Sequence, residues 1–271
     1  MILLVNSRGG QSMINGVPSK QKPFMASIRH RNFDDPFGSG HICGGTIITH
    51  NLVLTAASCV EITVADLLII VGTNLRYNQS MSFNVDAREI FIHPNYTAND
   101  RSHNIALIET FTMPSNALNI QPIALSQNSP IVGDECEIFG FGQARSLTAP
   151  SQMLVGKIEI YDISACHHEN RESMICSNSN TSPCNGDEGG PVVCNHHVSG
   201  IIDYFDFNHC RIDVEIRRTT YMNVADYRNW IEEHMRRIGL NDNNENKSVR
   251  INLTKVAQFW IIIIILIENL F

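Results

Sequence analysis

Gly186-Asp187-Glu188-Gly189-Gly190-Pro191 is a glycine-rich acidic turn that runs directly into Val192-Val193, one of a series of short β-like runs. The others are Thr46 to Ile48, Leu52 to Thr55, Leu67 to Val71, Phe83 to Ile92, Glu137 to Phe141, Leu154 to Tyr161 and Val198 to Ile202. Clusters of Gly, Pro, Asn and Ser bound them, the signature of an all-β sandwich or barrel. One helix stands out. Tyr227, Trp230, Ile231, His234, Met235 and Ile238 recur at three- and four-residue spacing, with Asp226 as the expected cap and Gly239 as the expected stop. Arg236 and Arg237 in its last turn complement the helix dipole.

The 271 residues are enough for one large all-β core. The net charge is -7, and basic residues cluster only at Arg217-Arg218 and Arg236-Arg237, so nucleic-acid binding has no support. The eight cysteines leave 105 pairings open on spacing alone. They form neither a Cys-x-x-Cys pair nor a Cys/His quartet at zinc-ligand spacing, so no metal or cofactor is expected. Paired cysteines point to an oxidising compartment. Asn78, Asn95, Asn180, Asn246 and Asn252 head Asn-x-Ser/Thr sequons, which fits a secreted glycoprotein.

Two further segments carry a family resemblance. Thr55-Ala56-Ala57-Ser58-Cys59, Asn104-Ile105-Ala106-Leu107 and the Gly186 turn resemble the T-A-A-H-C, D-I-A-L and G-D-S-G-G-P motifs of trypsin-like serine proteases. The resemblance implies two antiparallel six-stranded β-barrels closed by a C-terminal α-helix, from about Met13 to Gly239. Residues 1–12 read as a disordered lead, 13–240 as the protease-like domain, and 241–271 as a polar linker with an apolar tail. It also implies the pairings Cys43 to Cys59, Cys136 to Cys194, Cys166 to Cys176 and Cys184 to Cys210.

In this family a histidine takes the proton of the nucleophilic serine, and an aspartate orients that histidine and steadies its charge. Here the three positions hold Ser58, Asn104 and Glu188. A hydroxyl without an adjacent base is a poor nucleophile, and a glutamate of ordinary acidity is a poor base for an alcohol. The backbone oxyanion donors correspond to Gly186 and Glu188, and the Glu188 carboxylate would repel a developing oxyanion. The specificity pocket corresponds to Ser182 at its base, Asp203-Tyr204-Phe205 in place of a Ser-Trp-Gly strand, and Thr219 in place of a wall glycine. Side chains at Phe205 and Thr219 are expected to fill part of that pocket.

The segment that would follow an activating cut is Met13-Ile14-Asn15-Gly16, but Ser12 precedes it and offers a trypsin-like activator nothing to recognise. Asp187, the usual partner of the new N-terminus, is therefore expected to need another partner. His103 is expected at the surface, and the doublets His167-His168 and His196-His197 in loops. The chain thus resembles catalytically inactive members of the family, such as the clip-less serine protease homologues of insects. Its expected work is to bind an extracellular protein (a protease, an inhibitor, a receptor or a microbial surface) through loops such as Asn32 to Gly40, Thr97 to His103, Ser146 to Ser151 and Asp203 to His209.

Both ends depart from this pattern. Met1-Ile2-Leu3-Leu4-Val5 is shorter than the apolar core of an export signal and lacks a basic start, so truncation at the N-terminus is expected. The apolar tail from Val256 to Phe271 has no uninterrupted run long enough to span a bilayer. It reads as a sticky extension rather than a membrane or lipid anchor.

Overall fold

A computed structural model describes residues 13–143, 149–166, 173–203 and 217–239. Two closed antiparallel barrels result. The first uses β2 (Met25–His30), β3 (His41–Thr49), β4 (Leu52–Thr55), β5 (Leu67–Val71), β6 (Phe83–Val85), β7 (Ala87–Ile92) and β8 (Ala106–Thr110), in the order β6-β5-β2-β3-β4-β8-β7. The run from Phe83 to Ile92, expected as one strand, is broken at Asp86. Its first part pairs with β5 and its second with β8, and that corner closes a barrel of six chain runs.

The second barrel uses β9 (Glu135–Gly140), β10 (Leu154–Tyr161), β11 (Met174–Ser179), β12 (Pro191–Cys194), β13 (His197–Ile202) and β14 (Arg217–Asn223). The ring β10-β11-β14-β13-β12-β9 closes through β9 on β10, and the two-residue β1 (Val17–Pro18) adds to the edge of β10. Closure leaves no long unpaired edge in either barrel. Strand β10 shows the alternation that such a wall needs. Leu154, Ile158 and Ile160 are buried while Lys157 and Glu159 face outward. The inward residues join Met13, Ile138, Ile175, Val192 and Tyr221 in one core. Met25, Phe139, Phe141 and Met153 form a second cluster, shared between the two barrels.

Besides the two-residue β1, four strands lie outside the runs picked from sequence: β2, β8, β11 and β14. Each carries buried polar side chains that interrupt the apolar pattern, among them Ser27 and Arg29, Glu109 and Thr110, Ser177, and Thr219 with Thr220. The barrels supply partners for several of these groups. Arg29 pairs with Asp34 at 3.1 Å, and Ser177 Oγ meets Tyr221 Oη at 2.8 Å.

Three disulfides join Cys43 to Cys59, Cys136 to Cys194 and Cys166 to Cys176. Cys184 is buried, and Cys210 lies outside the described residues. The segment from Asn229 is a second compact unit. Residues 228–239 are helical, with Ile231 and Ile238 buried and His234 Nδ1 2.9 Å from the Trp230 carbonyl. One expectation needs correction. Asp226 is not the helix cap; it lies inside a 3₁₀ turn, Val224–Tyr227, where its carboxylate accepts from Asn223 Nδ2 at 2.9 Å. Gly239, the expected stop, is the last described residue and is helical. Among the described residues no helix is long and apolar enough to cross a membrane, and the tail lies outside them.

Candidate active-site cleft

The strand register brings the three segments together. Thr55 at the end of β4 pairs with Ala106 at the start of β8, so the residues after one and before the other are neighbours. Those residues are Ser58, on a 3₁₀ turn tied to β3 by the Cys43 to Cys59 disulfide, and Asn104. The third segment is stitched on by backbone. Gly44 of β3 donates to the Glu188 carbonyl at 2.7 Å, and Gly189 and Gly190 are both hydrogen-bonded to Ile202 at the end of β13. Gly189, at φ +77°, has no room for a Cβ beside Ala56 N and the Thr55 hydroxyl.

Asn104 is fully buried and uses both ends of its carboxamide. Its Oδ1 accepts from the Ser58 backbone N–H at 2.8 Å, while Nδ2 donates to Asp203 Oδ1 at 2.6 Å and to Ser58 Oγ at 3.2 Å. Only one amide orientation satisfies both a backbone donor and a carboxylate acceptor. Asp203, the first residue after β13, is fully buried and holds this amide in place. A composition-level reading does not find this contact, because the two residues are 99 apart in sequence. The only hint is an acid in a buried position of the expected pocket wall.

Glu188 is likewise committed. Its Oε1 lies 3.1 Å from Arg101 Nη1, and the two side chains retain 24% and 32% of their exposure, so the pair is half-sheltered at the mouth of the cleft. Arg101 sits at φ +55° in the loop between β7 and β8. In the same loop Asp100 accepts from the Ser102 N–H and the Thr97 hydroxyl. Tyr96 donates to Glu61 at 2.9 Å, and burial, then that contact, raises its pKa to about 12.

Asp187 is buried and finds its partners in two backbone N–H groups, Gly142 at 2.7 Å and Cys184 at 2.8 Å. A Cβ on Gly140 or Gly142 would collide with its carboxyl, so those glycines form its cradle. Burial outweighs the two hydrogen bonds and pushes its pKa up to about 7, with Arg76 the opposing positive charge. The loop is pinned from the other side by His41, whose Nε2 donates to the Gly186 carbonyl at 2.9 Å while Nδ1 accepts from Ser27 Oγ at 2.8 Å. Burial first, then Arg76, lowers the His41 pKa to about 3, so the ring is neutral at pH 7.

The remaining expected site residues fall as follows. Ser182 is fully buried and bridges to Ile14, with N–H to carbonyl distances of 3.0 and 3.3 Å. Met13, just before it, is fully buried in the second barrel's core. Thr219 is buried opposite Ser177 on the neighbouring strand. Tyr204 and Phe205 lie outside the described residues, as do His167, His168, Asn246 and Asn252. Asn95 and Asn180 are exposed and Asn78 is half-buried. The loop from Asn32 to Gly40 is tied down by the buried Arg29 to Asp34 pair and by Gly38 and Gly40 N–H bonds to Asp34. His196 is exposed at φ +64°. His103, expected at the surface, lies half-buried at φ +52° and meets Tyr227 Oη at 3.0 Å through Nδ1. Among the described residues no three His, Cys, Asp or Glu side chains converge as metal ligands.

Residues 13–231 match the family described as Trypsin. A snake venom serine protease of Crotalus durissus durissus is 30% identical over 213 residues, covering 72% of this chain and 78% of that protein. Trypsin epsilon of Drosophila erecta is 29% identical over 227 residues, covering 80% and 84%. Among solved structures, neuropsin, a serine protease expressed in the limbic system of mouse brain, superposes with a TM-score of 0.68 at 23% identity. It covers 82% of this chain and 99% of its own.

Proposed function

The chain belongs to the trypsin family of serine proteases, and on that premise we propose that it is a non-catalytic member that works by binding other proteins outside the cell. The observation that carries this reading is the state of Asn104. Its carboxamide is consumed by Ser58 and Asp203, so the position that orients the imidazole of an active protease here joins a serine and a carboxylate instead. Glu188, at the nucleophile position, is paired with Arg101. The carboxylates of this constellation are poor bases for an alcohol, and among the described residues no imidazole stands beside Ser58 to serve in their place.

The extracellular assignment rests on the three disulfides and on relatives that include a venom protease. An adaptor, cofactor or decoy role in an extracellular proteolytic or defence pathway follows from a retained scaffold whose Asn104 and Glu188 are engaged by Asp203 and Arg101, as in the inactive homologues of insects. The competing reading is an altered serine-type endopeptidase, which the named activities of the relatives favour.

Incubation of the purified chain with a fluorophosphonate probe and with a pooled peptide library separates the two. We expect neither labelling nor cleavage. Covalent labelling of Ser58, or cleavage abolished by Ser58→Ala, would establish the endopeptidase instead.

A further inference from the structure

We propose that His93 and His103 form a proton-operated latch on the loop that carries Arg101 to Glu188, so that acidification loosens the loop and frees Arg101 from Glu188. The consequence for a bound partner rests on reading the cleft as a binding surface; the loop movement itself does not.

The two imidazoles stack with centroids 5.2 Å apart and planes inclined by 18°. Both meet the ring of Tyr227 edge-on, at 5.2 Å for His93 and 5.9 Å for His103. This cluster stands at the two ends of one loop. His93 N–H donates to the Ile105 carbonyl and Ile105 N–H to the His103 carbonyl, at 3.1 and 2.7 Å, so the rings sit where the loop leaves β7 and returns to β8. Between them lie Arg101, which holds Glu188, and immediately after them Asn104, which holds Ser58 and Asp203.

Protonation attacks this arrangement at named atoms. His93 Nδ1 accepts the Asn95 N–H at 3.3 Å, so in the neutral ring the proton resides on Nε2. Adding a proton to Nδ1 sets two donors against each other. A proton on His93 also sets a cation into a half-buried ring stack. Burial, and then the neighbouring His103, lower the His93 pKa below the ordinary histidine value, so the closed loop disfavours that proton and taking it up favours opening. The loop has little reserve, since Arg101 and His103 both hold left-handed backbone that side-chained residues adopt at a cost.

The charged groups around the cluster are engaged elsewhere. On the loop itself Asp100 is bound by Ser102 and Thr97, and Arg101 by Glu188. Across from the loop Glu61 accepts from Tyr96. On the turn that carries Tyr227, Asp226 accepts from Asn223. These carboxylates therefore already have partners in the closed loop.

The test is an NMR titration of the full chain from about pH 8 to pH 4.5, following the imidazole C–H signals and the Ser58 and Arg101 amides. The Ser58 amide reports directly, because its N–H donates to Asn104 Oδ1. We expect both amides to titrate with His93, at a midpoint below that of a free histidine. Exchange of the Ser58 amide, corrected for its intrinsic rate, should accelerate about tenfold for each unit by which the two midpoints differ. His103→Asn keeps a hydrogen-bond partner for Tyr227 and removes the stacked imidazole that helps lower the His93 pKa, so the transition should move toward the free-histidine midpoint and shrink. Flat Ser58 and Arg101 signals through the imidazole titration of the unmodified protein would overturn the latch, as would a transition that survives unchanged in both His103→Asn and His93→Gln. No partner is present in any arm, so a failure to find a cleft ligand leaves this result standing.

Discussion

The Asn104 carboxamide donates to the Asp203 carboxylate across 2.6 Å, with both side chains fully buried. The acid of this pair stands on the end of β13 and the donor on the β8 side, so replacing Asn104 by an acid has a consequence that neither residue shows alone. Asn104→Asp would oppose two buried carboxylates and remove the donor to Ser58 Oγ. We expect a loss of about 3 kcal/mol at pH 7, smaller at pH 4.5, where the two oxygens can share a proton. Asn104→Asp combined with Asp203→Ser should recover most of it. Urea unfolding of the three proteins checks this, and an undiminished single variant would refute the arrangement.

The Arg101 to Glu188 pair calls for a different expectation. Both side chains keep access to solvent, so their coupling in a double-mutant cycle should be about 1 kcal/mol or less. It should fall further when salt is raised from about 0.05 M to about 0.5 M. Limited proteolysis of the loop from Thr97 to His103 should nevertheless accelerate in Arg101→Ala, because the pair anchors that loop rather than the core. A strongly coupled pair with unchanged proteolysis would place the anchor elsewhere.

Asp187 and His41 should make opposite contributions to the pH dependence of stability. The Asp187 pKa, raised to about 7, gives a contribution that is complete below about pH 4 and lost as pH rises through 7. The His41 pKa, lowered to about 3, gives one that is complete above about pH 6.5 and lost as pH falls toward 3. Between about pH 4 and 6.5 the two slopes cancel, since unfolding releases a proton from one and delivers a proton to the other. Relative to the parent, Asp187→Asn should tilt this window so that stability rises with pH. His41→Asn should tilt it the other way, each by about 1.4 kcal/mol per pH unit. Thermal unfolding at four pH values distinguishes these slopes from parallel curves.

The buried Cys184 should be covalently linked to Cys210. A peptide map without reduction should recover that pair beside the three others, and thiol titration of the denatured, unreduced chain should find no free sulfhydryl. A titratable thiol would leave the second barrel with two cross-links, Cys136 to Cys194 and Cys166 to Cys176.

What was legible in the sequence divides along a physical line. Leu52–Thr55, Leu67–Val71 and Leu154–Tyr161 are read correctly to the residue because apolar side chains fill most of their buried positions, Thr55 being the one buried polar side chain among them. β2 and β8 escape because Arg29 and Glu109 are buried against partners, Asp34 and Arg88, that sequence alone does not place beside them. The site follows the same rule. The substituted positions Ser58, Asn104 and Glu188 are visible from their flanking motifs. Asp203 and Arg101, which decide what those positions do, are 99 and 87 residues from the groups they bind. His103 lies half-buried because it meets Tyr227, 124 residues away, a neighbour that sequence alone does not place beside it.

The exchange of donor and acceptor between Asn104 and Asp203 also gives the molecule a direction in time. A lineage that recovers an acid at position 104 first meets a buried carboxylate already in residence, and one that removes Asp203 first strands the Asn104 donor. Either first step lowers stability before any catalytic gain exists to select for. On the non-catalytic reading the pair acts as a ratchet, because a hydrogen bond between two buried side chains resists an acid at position 104.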